Sequence, residues 1–223
     1  MPRPPRALTN GLLAAATLLL ATAGALALVH SDPTPIGPPQ PPARADLALP
    51  VHPRFAQPLL NHSIPLHIDI PVANVHADIT PVGWTSRHQI DAPPLNHALL
   101  AGWLQDGPSP GQTGTAIIDG HVDSAEIPGN EAAFYHLGDT RPGDQIDVIL
   151  ADHTVAVFTA DSVQTVPKDQ FPSALVYHPA AYPALTLITC GGPFDAEAHS
   201  YLDNILVYTH LTSTIIPRSA PPV

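Results

Sequence analysis

From Ile64 onward the chain is cut into short runs rich in Ile, Val and Thr, separated by Gly, Pro and Asp. Ile68, Ile70 and Val72 alternate with their neighbours, as do Ile146, Val148 and Leu150, and Val155, Val157 and Thr159, and residues 204–211 continue in the same style. Side chains two apart share one face of an extended chain, so this period-two pattern predicts strands. The dipeptides Gly107-Pro108, Pro110-Gly111, Pro128-Gly129 and Pro142-Gly143 are turn signals that end each run early. Helical spacing is confined to 95–104 and 131–137, each long enough for only a turn or two between strands. Short strands broken by frequent turns predict an all-β domain, built as a sandwich or a closed barrel.

The flanks have a different composition. The chain has 29 prolines, densest at 2–5, 33–53 and 217–222. Arg3 and Arg6 precede an uncharged Leu- and Ala-rich run over 7–29. Residues 12–29 approach the roughly 20 apolar residues that span a bilayer. Residues 1–30 therefore read as an N-terminal transmembrane anchor, with Ala25-Leu26-Ala27 allowing a cleaved signal peptide as the alternative. Basic residues ahead of the apolar run place the N-terminus in the cytoplasm and the remainder outside. Residues 31–60, with Pro33, Pro35, Pro38, Pro39, Pro41, Pro42, Pro50 and Pro53, read as a semi-rigid proline-rich spacer. The β-domain is expected over 61–212, with a flexible tail at 213–223.

The formal charge is −11, and four of the eight basic residues, Arg3, Arg6, Arg44 and Arg54, lie in the N-terminal flank. Such a domain lacks the basic footprint of a nucleic-acid partner. The single cysteine excludes an intramolecular disulfide, so a core must hold the fold and the thiol is available for chemistry. That thiol, Cys190, ends the run Leu-Thr-Leu-Ile-Thr-Cys-Gly-Gly over 185–192. Leu185, Leu187 and Thr189 share one face of an extended run, and Thr186, Ile188 and Cys190 the other. Gly191 and Gly192 free the backbone to turn away, which leaves the thiol at a strand end, where a rigid scaffold presents reactive groups. The alternative is a small buried hydrophobe.

A cysteine nucleophile acts as its thiolate, usually beside an imidazole. Of 13 histidines, His121 has the most suggestive setting. Ala116, Ile117 and Ile118 read as a buried strand, Gly120 permits a tight exit, and His121 emerges where that strand ends. Asp119 and Asp123 nearby open a metal reading. However, three-ligand zinc sites draw on two or three histidines, and no frame such as His-Glu-x-x-His occurs. No metal or cofactor is expected.

Five segments in order carry a family resemblance: Ala-Gly-Trp-Leu-Gln-Asp-Gly-Pro-Ser-Pro-Gly (101–111), Gly-His-Val-Asp-Ser (120–124), Phe-Tyr-His-Leu-Gly-Asp-Thr-Arg-Pro-Gly-Asp (134–144), Leu-Ile-Thr-Cys-Gly-Gly-Pro-Phe-Asp (187–195) and Tyr-Leu-Asp-Asn (201–204). Together, over about 64–211, they resemble the class F sortases of actinobacteria. The resemblance implies an eight-stranded β-barrel with short helical turns, and a cysteine transpeptidase at the outer face of a Gram-positive membrane. It implies that Cys190 attacks the threonyl carbonyl of a Leu-Pro-x-Thr-Gly-like sorting signal on a secreted protein. His121 then protonates the leaving amine, and an amine of a cell-wall precursor resolves the acyl-enzyme.

One departure stands out. Sortases generally place an arginine near or on the final strand to hold the developing oxyanion, yet no Arg or Lys lies between Cys190 and Pro217. Leu202 stands where a basic residue would be sought. Asn204, His199 or the backbone N–H groups after Cys190 are the alternative donors. Arg141, in a Thr-Arg-Pro-Gly-Asp turn, is a further candidate with a structural role as its alternative, and Arg87 reads as structural. Asp119, two residues before His121, either raises the affinity of the imidazole for a proton or faces solvent. Two alternatives to a transpeptidase follow: a catalytically weak or silent peptide-binding module of the same fold, and a plain cysteine hydrolase.

Overall fold

In the computed structural model, residues 37–42 and 59–216 are described. The strands are β1 (Pro65–Ile70), β2 (Val75–Val82), β3 (Ala101–Leu104), β4 (Gly114–Gly120), β5 (Gln145–Leu150), β6 (Val155–Pro167), β7 (Pro183–Asp195) and β8 (Ser200–Ile215). Short 3-10 turns at Pro71–Ala73, Leu95–His97, Leu137–Asp139 and Lys168–Gln170, and one helical turn α1 (Ser173–Val176), join them. The sheet closes into a barrel in the order β1-β2-β3-β4-β7-β8-β6-β5. Closure leaves no unpaired edge and selects the barrel over the sandwich.

Alternation supplies the core. Ile68, Ile70, Ile146, Val148, Leu185 and Leu187 point inward around the fully buried rings of Phe134 and Phe158. Outside the barrel, Ile117, Val166, Val176, Ile188, Leu206 and Tyr208 form a second cluster with Leu104, where the β6–β7 connection folds back over the sheet. Two pairings, β2–β3 and β4–β7, are parallel, and the other six are antiparallel.

Several sequence expectations are corrected. The turn expected over 95–104 covers only Leu95–His97; Ala101–Leu104 is a strand, buried at every residue and therefore without alternation. On β6 the alternating Val155, Val157 and Thr159 are not the core face. Ala156, Phe158 and Ala160 point inward, and the register shift between Ala160 and Ser162 then hands the inward face to Val163. A bulge adds one residue to one strand and so exchanges its faces. β7 does not end at Cys190 but continues to Asp195 through an irregularity between Gly191 and Phe194, with Gly192 at φ 73°. The expected tail from 213 is strand as far as Ile215, which pairs with Val155. The anchor over 1–30 lies outside the described residues. Among the described residues, no helix is long and apolar enough to cross a membrane.

Part of the proline-rich spacer is packed on the barrel. Pro38 and Pro41 are buried. The Gln40 amide donates to the Pro38 carbonyl at 3.0 Å, and its oxygen accepts the Gly192 N–H at 2.8 Å. Gly138 has no side chain to spare here, because a Cβ would overlap the Pro39 carbonyl oxygen.

One carboxyl is buried in the β4 wall. Asp119 is 9 % exposed, and its Oδ1 has no hydrogen-bond partner. Burial pushes it up from 3.8 to about 7, opposed by a hydrogen bond from its own backbone and helped by the charge of Asp91. Between these two values the folded protein holds a proton that the unfolded chain has released, so rising pH favours unfolding. At about 1.36 kcal/mol per pH unit, the loss between pH 4 and 7 reaches about 4 kcal/mol.

Two outcomes are expected in denaturant titrations. Phe158→Ala loses about 3 to 5 kcal/mol with an unchanged m-value, as for other large aromatic truncations in a packed core. Asp119→Asn removes the linked proton, so its stability relative to the wild type rises from about pH 4 to about pH 8. A difference independent of pH would refute the burial account of Asp119.

Candidate active site

The parallel pairing of β4 with β7 runs in register from Gly114 opposite Pro183 to Asp119 opposite Ile188. Two more residues of that register bring His121 beside Cys190. The Thr189 hydroxyl donates to the Gly120 carbonyl at 2.7 Å, tying the strands together one residue earlier. On the other flank of β7, Cys190 pairs with Asn204 of β8. Neighbouring strands lie about 5 Å apart, so His121, Cys190 and Asn204 form a row across three strands. Inward-facing Leu185 and Leu187 put Ile188 and Cys190 on the outer face, as the alternation requires.

The row opens into a cleft of about 530 Å³. One wall is the loop after β2, with His88, Gln89, Ile90 and Ala92; the other is the β6–β7 connection, with Lys168, Phe171, Ser173 and Tyr177. Cys190 is half-buried, so its sulfur can meet a ligand without being freely solvated.

His121 is oriented by its surroundings. Its Nε2 lies 2.5 Å from the Pro93 carbonyl oxygen. A carbonyl can only accept, so Nε2 carries the proton of the neutral ring and Nδ1 is left as the acceptor. The backbone around the imidazole is stitched to the 95–98 segment. The Ser124 hydroxyl donates to the Leu95 carbonyl at 2.9 Å, and the Ala133 N–H to the Ala98 carbonyl at 2.9 Å. Behind it, the Phe134 ring packs against Gly120, where a Cβ would come within 2.8 Å of the ring. The Tyr201 hydroxyl donates to Asp123, joining the histidine loop to β8. Burial, with the Asp123 hydrogen bond and charge, pushes that phenol above its ordinary range. Asp119 shares the outer face of β4 with Ile117 and lines the same cleft.

The candidate oxyanion donors separate. Asn204 lines the cleft. His199 does not: it sits exposed in the β7–β8 turn at φ 49°. Nor does Arg141, whose Nη1 donates to the carbonyls of Gly138 and Thr140, both at 2.8 Å, fastening the 137–139 turn. The Gly192 N–H, among the backbone donors after Cys190, is taken by Gln40. Lys168 also lines the cleft, although it precedes Cys190 in the chain and so lies outside the stretch after the thiol where a cation would be expected. Its signal was the Val-Pro-Lys step closing the β run at 155–167.

A family model described as sortase domain matches residues 68–212. Among solved structures, sortase A of Corynebacterium diphtheriae matches with a TM-score of 0.52 at 23% identity, over 74% of this chain and 66% of that one. SrtA sortase of Actinomyces oris gives 0.50 at 21% identity over 74% and 89%, and sortase A of Listeria monocytogenes gives 0.50 at 15% identity over 69% and 90%. Among curated proteins, none matches the sequence. At these identities the structural likenesses speak for the barrel, and the domain match covers most of the chain: it belongs to the sortase family.

Proposed function

We propose that this chain is a class F-type sortase that cleaves a Leu-Pro-x-Thr-Gly-like sorting signal and transfers the protein to an amine of a cell-wall precursor. Sortase-family members are cysteine transpeptidases, which sets the reaction class. The observation that carries the reading to this chain is the β4–β7 register, which sets His121 beside Cys190 on one face of the cleft. Residues 1–30 would anchor it, with the barrel at the extracytoplasmic face.

The reaction divides between the two side chains. Cys190 loses its proton to His121 Nδ1, and the resulting thiolate attacks the scissile carbonyl carbon. As the tetrahedral adduct collapses, the C–N bond breaks and the imidazolium gives its proton to the departing amine. The Pro93 carbonyl keeps Nε2–H occupied throughout, so one nitrogen handles both transfers. A thioester on Cys190 remains, and an incoming amine, deprotonated by the same imidazole, attacks it. Water in place of the amine would give hydrolysis, so acceptor access separates a transpeptidase from a hydrolase. Asn204, paired with Cys190, is placed to orient the substrate carbonyl.

Incubation with sorting-signal peptides should add the acyl fragment to Cys190 in intact mass spectra, and an added amine should divert the product from acid to amide. Cys190→Ala is expected to form no adduct. His121→Ala should acylate at least about a hundredfold more slowly, the usual scale for a lost general acid. Turnover undiminished in either variant would end the proposal, and binding without acylation by the wild type would favour the silent module.

A further inference from the structure

Attack of the thiolate on a carbonyl moves negative charge onto the carbonyl oxygen, and a sheltered cleft must meet that charge with preorganised donors. The final strand brings no cation: β8 carries neither Lys nor Arg, and Leu202 is 49 % exposed. Asn204 is neutral.

A cation nevertheless reaches the cleft. Among the described residues lining it, Lys168 is the one Lys or Arg. The strand order puts β6 on the far side of β8 from β7, with Val166 opposite Asn204 and Pro167 opposite Asp203. One residue further in that register places Lys168 beside Leu202. The face is right as well. Val166 lies outside the barrel with Ile188 and Leu206, and Lys168, two residues on, leaves the strand end on that side. Its Nζ donates to the Ser200 hydroxyl at 2.9 Å and, among the described residues, is in no ion pair. A neutral hydroxyl is an exchangeable partner, and the four-carbon stem lets an ammonium swing between ligands.

We infer that Lys168 is a catalytic residue, the cation that holds the oxyanion in this cleft, reaching it from the end of β6 across Leu202. The inference rests on the thioester chemistry proposed above. When Cys190 Sγ bonds to the carbonyl carbon, the π pair of the C=O moves to oxygen, which accepts an N–H from Lys168 Nζ. On collapse the pair returns to re-form C=O, and the C–N bonding pair leaves on the amine, which takes its proton from His121. Lys168 keeps its protons at every stage. A purely structural lysine would instead pin the Lys168–Gln170 turn to Ser200 and leave the reaction rate alone.

The test uses the full chain and two readouts. With a sorting-signal peptide, Lys168→Met should slow acylation of Cys190 about a hundredfold, the scale of a lost oxyanion donor, with little change in KM. Lys168→Arg should retain most of the rate, and Leu202→Arg placed in the Lys168→Met background should recover at least tenfold of the loss. Wild-type rates in Lys168→Met, or a loss that neither arginine variant relieves, would overturn the inference. The second readout needs no peptide: alkylation of Cys190 by iodoacetate relative to iodoacetamide. The ratio cancels any change in thiolate population, and it should fall severalfold in Lys168→Met. An unchanged ratio overturns the inference. A wild type that no peptide acylates, yet whose iodoacetate preference depends on Lys168, defeats the proposed reaction while upholding the anion site.

Discussion

The site depends on one pairing, the parallel ladder between β4 and β7. Parallel neighbours have their C-terminal ends on the same side, so two residues 69 positions apart can emerge together at one rim. An antiparallel pairing would send those ends to opposite rims. The reach between β4 and β7 also explains the intervening chain: β5, β6 and the connection with α1 must travel round the barrel before β7 can lie beside β4. That same connection returns over the outer cluster and becomes a wall of the cleft. Packing of Val176 and Tyr208 outside the barrel is therefore part of how the site is sheltered from water.

Much of this was legible in the residues. Inward Ile68, Ile70, Ile146 and Val148 follow the period-two pattern, and the split of Leu187 from Ile188 and Cys190 follows from alternation alone. Legibility failed where alternation carries no information. Ala-Gly-Trp-Leu over 101–104 is buried on both faces, so its strand had no polar beat to reveal it. On β6 small alanines face the core beside Phe158, and valines face out, which inverts the apparent pattern until the bulge reverses it. Lys168 was missed for a different reason. Its place in the site comes from β6 lying against β8, a fact of sheet order that no local window contains.

Asp119 illustrates how burial and chemistry meet in the same wall. Gly102, its cross-strand partner, leaves no Cβ where the carboxylate oxygen sits, so the small residue on β3 is what admits an acid there. Its Oδ1 is shut from solvent without a partner, and the neutral form is correspondingly favoured. The cleft thus has, in the same lining as the Lys168 side chain, a carboxyl that carries little charge at mildly acidic pH.

Gln40 has a mechanical consequence. Its side-chain oxygen holds the Gly192 N–H, two residues from the thiol, while Pro39 lies against Gly138. The segment 37–42 therefore meets the barrel beside Cys190 and not at a remote corner. A pull on that segment would be felt first by the backbone of β7 just past the thiol.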